Sequence, residues 1–267
     1  MELIIADDAS PLKNETLTVF RRHEPALRAH FGSVLTEFRN SNLGFARNYN
    51  LAATRARGRV LVIANSDLYF TRGSIRRLVD TLESNPRYGI AGPLCNDCYS
   101  PQKVSLIGRL EDYSPESLER IERFTTFIFQ QNRPPVISPY LSGFCFAIRR
   151  ETVERFGLFD ETFEQAYFED YDLCYRIRKE FDLVIDAHTY IHHGGLAGGS
   201  SSLWSQHSAL WNTRRFLKNG WRFAQRYGIA AWLAQVWHQN CSYHLRRCNL
   251  TRLFAQAWPT HGERAAR

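Results

Sequence analysis

The sequence of 267 residues contains no long apolar run. Its most apolar stretch, residues 227–237, has about half of the roughly 20 residues that a membrane-spanning helix needs. The first residues show neither the basic region nor the apolar region of a signal peptide, so none is expected. Six cysteines at irregular spacing do not predict a disulfide framework and favour a reducing compartment. These absences predict a cytoplasmic protein without a membrane-spanning helix.

Zinc-site and nucleic-acid-binding motifs are absent as well. Cys95 and Cys98 form a C-x-x-C pair, but no second cysteine or histidine pair follows at the spacing of a zinc site. We therefore interpret both as loop thiols rather than as a zinc or redox centre. The net charge is +7, yet no motif predicts binding to nucleic acid.

The positive charge is concentrated at the C-terminal end of the chain. From Leu203 onward there are ten Lys or Arg residues, one acid and all six tryptophans, whereas the remainder has 24 basic and 26 acidic residues. This shift predicts a boundary near residues 198–202, followed by a basic, Trp-rich helical extension over 203–267. The composition fits peripheral contact with anionic lipid on the inner face of the cytoplasmic membrane. It equally fits tryptophans that pack against the preceding domain or a second subunit.

Strand and helix patterns alternate along the first half of the sequence. Strands are predicted over 3–6, 34–38, 60–64 and 89–92, and helices over 12–30, 44–57 and from an N-cap at Thr71. Continuous apolar strands separated by helices predict an α/β fold with a mostly parallel sheet flanked by helices. We expect one domain over 1–202, with a nucleotide half over about 1–95 and an acceptor half over about 96–202.

Carboxylates follow two of the predicted strands, where ligands bind in such sheets. Asp67, in the tripeptide that begins at Asn65, comes directly after the buried strand 60–64. A diphosphate leaving group needs a divalent cation, and Asp67 offers the oxygen ligand that such cations prefer. A plain turn is the alternative, because Asn, Ser and Asp are turn residues.

Asp7 ends the first predicted strand, and two interpretations of it are compatible. Its carboxylate is placed to accept a hydrogen bond from the imino group of a pyrimidine base. Ser10, directly before Pro11, is a good start signal for the following helix. The sequence therefore predicts that Asp7 binds the nucleotide and that Ser10 caps the helix.

An acidic cluster opens a predicted helix over 168–181. Asp170 shares the apolar inward face of this helix at its first turn, where the helix dipole keeps an acid ionised near neutrality. It is therefore a ready acceptor for a hydroxyl proton. Asp172 and Arg176 are four residues apart and are expected to form a supporting ion pair. The alternative is that these acids only decorate a helix N-terminus.

Two histidines, His192 and His193, follow the predicted strand 183–185 and precede glycines at 194–199. Side chains alternate on an extended segment, so only one imidazole faces the site. Imidazole suits manganese better than magnesium. The glycines would let the segment close over the phosphates as a lid, or would form a flexible linker.

Taken in order, these motifs resemble the inverting family 2 glycosyltransferases of the GT-A fold, similar to bacterial rhamnosyl- and galactofuranosyltransferases. The resemblance spans residues 2 to about 218. It rests on the segment 42–50, which reads NLGFARNYN; on Asn65-Ser66-Asp67 in place of the family's Asp-x-Asp; on 142–144 and GLFDE at 157–161; on Glu169-Asp170; and on His192.

The resemblance implies a role for each matching residue. Asp170 would be the catalytic base, and Asp67 and His192 would hold Mn²⁺ or Mg²⁺. The nucleotide sugar would contact Asp7, Asn42, Gly44, Arg47 and Asn65, and the acceptor side would include Gly143 and Glu169. The implied reaction is metal-dependent, inverting transfer of a hexosyl or deoxyhexosyl group from a nucleotide-diphosphate sugar to a hydroxyl of a bacterial cell-envelope glycan or lipid-linked acceptor.

Two departures from the family qualify this expectation. Members normally begin with a strand upstream of Asp7 that forms the centre of the sheet, and this first strand is missing from the sequence. Buried backbone groups left unpaired by its loss cost roughly 1–3 kcal/mol each. There is also no Gln-x-x-Arg-Trp motif, which argues against a processive synthase. An inactive relic, or a membrane- or glycan-binding protein without catalysis, are the alternative functions.

Overall fold

The fold was analysed in a computed structural model that describes residues 1–98, 100–104, 106–107, 113–163, 167–194 and 208–240, with side chains as far as 237. These residues form strands and helices in the following order. They are β1 (Glu2–Asp7), α1 (Lys13–His30), β2 (Ser33–Phe38), α2 (Phe45–Arg55), β3 (Val60–Ala64), β4 (Leu68–Phe70), α3 (Ser74–Glu83), β5 (Tyr88–Leu94), α4 (Pro115–Gln130), β6 (Val136–Ile137), β7 (Cys145–Arg149), α5 (Arg150–Phe156), α6 (Glu169–Ile177), β8 (Asp182–His193), α7 (Ala209–Tyr227) and α8 (Ile229–Asn240).

The strands form two sheets flanked by helices, which confirms the α/β class. β1 and β2 pair in parallel with each other, and the six-stranded sheet has the order β3-β7-β5-β8-β4, with β6 beside β8. In the larger sheet only β5 and β8 are parallel. The sheet is therefore mixed rather than mostly parallel. The sequence could not show this, because a strand buried on both faces has the same apolar pattern in either direction.

Helix α2 joins the two sheets. The Asn48 side-chain amide donates to the carbonyl of Ala6 on β1 (3.3 Å), and the Tyr49 hydroxyl donates to the carbonyl of Ala64 on β3 (2.8 Å). Among the described strands, β1 pairs only with β2 and β3 pairs only with β7.

Strand β8 is much longer than the three-residue strand predicted from the sequence. Its first part pairs with β5 and β6, and its last residues pair with β4, so that His193 lies opposite Leu68. Thr71 does not cap α3, whose N-cap is Gly73 in a left-handed conformation (φ 74°). Instead, the buried Thr71 hydroxyl donates to the carbonyl of Tyr190 (2.7 Å). A tertiary hydrogen bond therefore replaces the local one that the sequence predicted.

Helix α7, from the predicted extension, packs against the acceptor half. Phe168, just before α6, contacts the rings of Phe216 and Phe223, and Phe223 is fully buried. The predicted boundary and the glycine-rich lid segment lie in residues 195–207, outside the described residues, as do residues 241–267. No helix in the described part of the chain is long and apolar enough to cross a membrane.

Candidate functional site

Two residues at the start of β7 connect the two groups of predicted site residues. The backbone N–H of Gly143 donates to Oδ2 of Asp170 (2.9 Å). The carbonyl of the next residue, Phe144, accepts from the N–H of Asn65 (2.9 Å), and the Phe144 ring stacks on His193 with ring centres 4.9 Å apart. The structure therefore brings the acidic cluster and the Asn65 turn together at one end of β7.

Asp170 occupies the first turn of α6 after two strained residues. Tyr167 and Phe168 both have left-handed backbones (φ 74° and 76°), which cost roughly 1–2 kcal/mol each for side chains other than glycine. Burial raises the pKa of Asp170 to about 6, although hydrogen bonds from the N–H groups of Gly143 and Tyr171 oppose the shift. Asp170 as a whole residue is half-buried. With its raised pKa, the carboxylate is a stronger base than an ordinary aspartate.

Glu169, directly before Asp170, is the more deeply buried of the two acids. Its side chain is buried, and Oε2 has no hydrogen-bond partner among the described residues. Burial, followed by the charge of Asp170, raises the pKa of Glu169 to about 8. Two adjacent carboxyl groups thus both have raised pKa values, a property that is common among groups at functional sites.

Asp67 faces His193 across the end of the sheet. Asp67 Oδ2 and His193 Nε2 are 3.4 Å apart, both side chains are about 9% exposed, and neither atom has a hydrogen-bond partner within the described residues. Burial acts to lower the pKa of His193, but the Asp67 carboxylate outweighs it and the pKa is raised. No group of three or more His, Cys, Asp or Glu side chains that would hold a metal occurs in the described residues.

Contacts with Asn96 and Asp97 fix the orientation of His193. Asn96 donates to the His193 carbonyl (2.9 Å) and accepts from its N–H (2.7 Å), so its amide continues the strand pairing. The imidazole Nδ1 lies 2.6 Å from the carbonyl of Asp97. A hydrogen bond there uses the Nδ1 proton and leaves Nε2 directed toward Asp67. A carboxylate oxygen and an imidazole nitrogen without other partners fit a divalent cation such as Mn²⁺.

His192, the predicted metal ligand, lies elsewhere. It is opposite Tyr69 in the β4–β8 pairing, its Nδ1 is 2.9 Å from the Tyr190 hydroxyl, and its Nε2 is buried without a partner in the described structure. Burial lowers its pKa to about 4, so it is neutral. The structure therefore brings His193, and not His192, to Asp67. Alternation along β8 explains why only one imidazole reaches the site.

The predicted nucleotide segment is held by Asp8, which the sequence analysis left without a role. The two carboxylate oxygens of Asp8 accept from the N–H groups of Leu43 (2.8 Å) and Gly44 (2.9 Å), and its carbonyl accepts from Asn42 (3.0 Å). Its neighbour Asp7 accepts instead from the N–H of Ser10 (2.9 Å) at the turn before α1. The only signal for Asp8 was the adjacent acid pair, which does not tell which carboxylate faces the segment.

A cavity of about 310 Å³ lies beside this segment. Three of the residues predicted to contact the nucleotide sugar line it, namely Asn42, Gly44 and Arg47. Asn65 lies outside the lining, where its side chain accepts from the Tyr49 hydroxyl (3.3 Å). The complete lining is Asn42, Leu43, Gly44, Ala46, Arg47, Glu161, Phe163 and Arg215. The last of these comes from α7, so the C-terminal region contributes a cation that the sequence analysis missed.

Comparison with known proteins identifies the family. N-acetylglucosaminyl-diphospho-decaprenol L-rhamnosyltransferase of Mycobacterium tuberculosis is 29% identical over 212 residues, which are 72% of this chain and 67% of that protein. The structure of S. aureus TarS 1-349 in complex with UDP-GlcNAc superposes with a TM-score of 0.51 at 16% identity, over 75% of this chain and 51% of that chain. This chain thus spans about half the length of TarS 1-349, and the likeness shows the GT-A fold. The sequence model of glycosyl transferase family 2 matches residues 1–157, more than half of the chain, and the chain therefore belongs to this family.

Proposed function

We propose that this glycosyltransferase moves a sugar from a nucleotide-diphosphate donor to a hydroxyl of a lipid-linked acceptor, with inversion at the anomeric carbon. The observation that carries the proposal is the seating of Asp170. It is a half-buried residue whose carboxylate has a raised pKa and accepts from Gly143, beside the segment that contacts Asn65 and His193. A base in this position serves a reaction at the adjacent nucleotide turn.

In the proposed reaction, Asp170 takes the proton of the acceptor hydroxyl. The hydroxyl oxygen forms a bond to the anomeric carbon while the bond from that carbon to the diphosphate oxygen breaks. One displacement from the face opposite the leaving group inverts the configuration. Glu169, a buried neighbour whose pKa is also raised, lies beside the proposed base. With Gly143 it would form the acceptor side.

Asp67 and His193 would hold a divalent cation, Mn²⁺ or Mg²⁺, in this proposal. Their facing atoms are buried, 3.4 Å apart and without hydrogen-bond partners among the described residues, and cation binding would satisfy both. When bound, such an ion would stabilise negative charge on a diphosphate. His193 replaces His192 in this role because only its ring faces Asp67.

The nucleotide would bind along the segment that begins at Asn42. The cavity there holds the side chains of Arg47 and Arg215 and the start of α2, all suited to an anionic ligand. Arg47 Nε comes no closer than 4.0 Å to the Glu161 carboxylate, and both side chains are about half exposed, so this ion pair is weak. The arginine is therefore available to bind a phosphate. Asp7 and Asn65, at the ends of β1 and β3, complete the proposed donor contacts.

The acceptor and sugar classes follow from the mycobacterial relative, which is named for rhamnosyl transfer to N-acetylglucosaminyl-diphospho-decaprenol. We extend the proposal to a deoxyhexose donor, an N-acetylglucosaminyl diphosphate on a polyprenyl lipid as acceptor, and a role in building the bacterial cell envelope. Such an acceptor resides in a membrane, so the protein would work in the cytoplasm in peripheral contact with the inner face of that membrane. The excess of basic residues after Leu203 supports this location.

Calorimetry and a transfer assay test the proposal together. The protein is titrated with nucleotide-diphosphate rhamnose in the presence of Mn²⁺, and radiolabelled sugar is followed into a short-chain N-acetylglucosaminyl diphosphate lipid. We expect donor binding and label transfer, with product of inverted anomeric configuration by NMR. Absence of donor binding by folded protein would favour an inactive relic, and binding without transfer would favour a glycan- or membrane-binding protein.

A further inference from the structure

Helices α7 and α8 present large apolar side chains to the outside. Leu210, Leu217 and Trp221 on α7 are seven and four residues apart and therefore lie along one stripe of the helix. Each is 52–60% exposed, as are three residues on α8. The buried residues of α7 are Asn212, Asn219, Gly220, Phe223 and Ala224. The exposed stripe is thus additional to the side that packs on the domain.

The outward side of α8 is apolar along its described length. Ile229, Leu233 and Trp237 follow one another at intervals of four residues. Ala230 and Ala234, which are also exposed, lie between them. No polar side chain is among the exposed residues 229–237. A solvent-exposed surface of this composition is unusual, because large exposed apolar patches mark contacts with proteins or membranes.

Positive charge accompanies the apolar stripe. Arg214 and Lys218 are exposed on α7 beside Leu217 and Trp221, and residues 208–240 contain no Asp or Glu. Tryptophan favours the boundary between lipid headgroups and acyl chains, and Lys and Arg are attracted to anionic headgroups. Self-association through the same face would instead bring basic residues of two copies close together. The positive charge therefore favours contact of this face with an anionic lipid surface over contact with a second copy of the chain.

The buried side of α7 is attached to the start of α6. Asn219 donates to the carbonyl of Tyr167 (3.2 Å), and Tyr167 donates through its hydroxyl to Asn212 (3.1 Å). Further along, Arg226 and Tyr227 bond to Asp172 on α6 (2.9 and 2.7 Å). The helix with the exposed stripe therefore also holds the turn that presents Asp170.

We propose that the outward face of α7 and α8 docks on an anionic lipid bilayer and holds the site beside the membrane. The lipid-docking face is defined here as Leu210, Arg214, Leu217, Lys218, Trp221, Ile229, Leu233 and Trp237. The proposal deepens the proposed function, since it rests on an acceptor whose polyprenyl chain is embedded in a membrane. The attachment of α7 to α6 would place Asp170 at a fixed distance from the lipid surface.

Vesicle co-sedimentation of the full chain tests this face without donor or acceptor. The protein is mixed with vesicles of pure phosphatidylcholine or with added phosphatidylglycerol, at low and at high salt. We expect binding to the anionic vesicles that high salt weakens, and little binding to neutral ones. Leu217→Gln with Trp221→Gln, Leu233→Gln with Trp237→Gln, and Arg214→Gln with Lys218→Gln should each weaken binding by about tenfold.

Helix α1 supplies the matched control. Val19 and Arg22 are an exposed apolar and an exposed basic residue far along the sequence from the lipid-docking face. Val19→Gln with Arg22→Gln should leave vesicle binding unchanged. Circular dichroism checks that every variant is folded.

Three outcomes would overturn the lipid-docking proposal. One is equal binding of the wild-type protein to neutral and anionic vesicles, or none to either. Another is a dimer by light scattering that the Leu217 and Trp221 changes dissociate, which would identify a second copy as the occupant. The third is a large loss of thermal stability in these variants, which would show that the face is covered by the chain itself. Donor binding by calorimetry is independent of all three, so failure here is distinguishable from failure of the proposed function.

Discussion

The backbone of Gly143 is in direct contact with the side chain of Asp170. The Gly143 N–H donates to Asp170 Oδ2 over 2.9 Å, and a Cβ atom at position 143 would lie 3.1 Å from the Asp170 Cβ. An added methyl group would therefore require a small shift between the segment before β7 and the start of α6. The relationship fixes the position of the proposed base and leads to a first prediction.

Gly143→Ala should lower kcat for sugar transfer by about ten- to a hundredfold, because the added methyl group displaces the Asp170 carboxylate from its place. Donor affinity should change little. The control is Gly32→Ala, whose Cβ would meet its nearest neighbour at an ordinary 3.7 Å. Steady-state kinetics on both variants decide the matter. Equal rates in the two would show that the seating of Asp170 is not critical.

Asp170→Asn should abolish transfer while leaving donor binding within a few fold. The amide keeps the shape and can still accept from the Gly143 N–H, but it cannot take a proton. Transfer of labelled sugar and calorimetry on the same preparation measure both quantities, with exposed Glu154→Gln as the control. Residual turnover near the wild-type rate would move the role of base to Glu169.

The raised pKa of Asp170 predicts opposite pH effects on activity and stability. Activity should rise with pH and level off above about 6, as the base becomes ionised. A carboxyl group whose pKa is raised on folding is best accommodated when protonated. Its ionisation therefore destabilises the folded state increasingly from about pH 4 to pH 6. Asp170→Asn should raise the free energy of unfolding by roughly 1–3 kcal/mol at pH 8 and by much less at pH 4.

Thermal unfolding at the two pH values checks this stability prediction. An Asn variant no more stable than wild type at pH 8 would contradict the raised pKa. Glu169→Gln provides the comparison, because burial also raises the pKa of Glu169. The stabilisation caused by Glu169→Gln should keep increasing with pH up to about 8.

Removal of either proposed metal ligand should abolish tight Mn²⁺ binding. We expect Asp67→Ala and His193→Ala to lose the bound Mn²⁺ signal in electron paramagnetic resonance titrations, and with it donor affinity and rate. His192→Ala is the matched control and should retain Mn²⁺ binding, because its ring contacts Tyr190 instead. Loss of Mn²⁺ in the His192 variant with retention in the His193 variant would reverse the assignment. Full activity in a chelator would remove the metal from the mechanism.

The buried Asp172 predicts that α7 is needed for a stable domain. Its carboxylate accepts from Arg176 as the sequence predicted, and also from Arg226 and Tyr227 of α7. Tyr227→Phe should lower the free energy of unfolding by roughly 1–2 kcal/mol, because one hydrogen bond to a buried charge is lost. Deletion from residue 222 onward removes two partners of Asp172 and should destabilise the whole domain.

Chemical denaturation of these variants measures the effect. Gln225→Ala, an exposed position on the same helix, should be neutral and serves as the control. A deletion variant as stable as the full chain would mean that α7 is a separate unit after all.

The local pattern of the sequence determined most of the elements. Helix α1 was predicted over 12–30 and is found at Lys13–His30, and the strand over 60–64 is confirmed as β3. These succeed because apolar periodicity, helix signals and turn residues act within a few positions of one another. The pair of Asp172 and Arg176, four residues apart, was predictable for the same reason.

Other features were decided only by the tertiary structure. The direction of β7 and the length of β8 depend on partners distant in the sequence. Which imidazole faces Asp67 depends on the register of β8 against β4, and a shift by one residue would exchange the two histidines. The roles of Asp8 and of α7 likewise arise from contacts over more than thirty residues of chain.

The sequence by itself thus determined the family and the α/β class, since motifs and periodicity are local and ordered along the chain. Tertiary structure decided which of the predicted site residues meet, through the strand register, the glycine contact at Asp170 and the packing of α7. It also decided their protonation, because burial is a property of the whole fold. Glu169 and Asp170 are adjacent acids in the sequence, and only their burial in the fold raises the pKa of both.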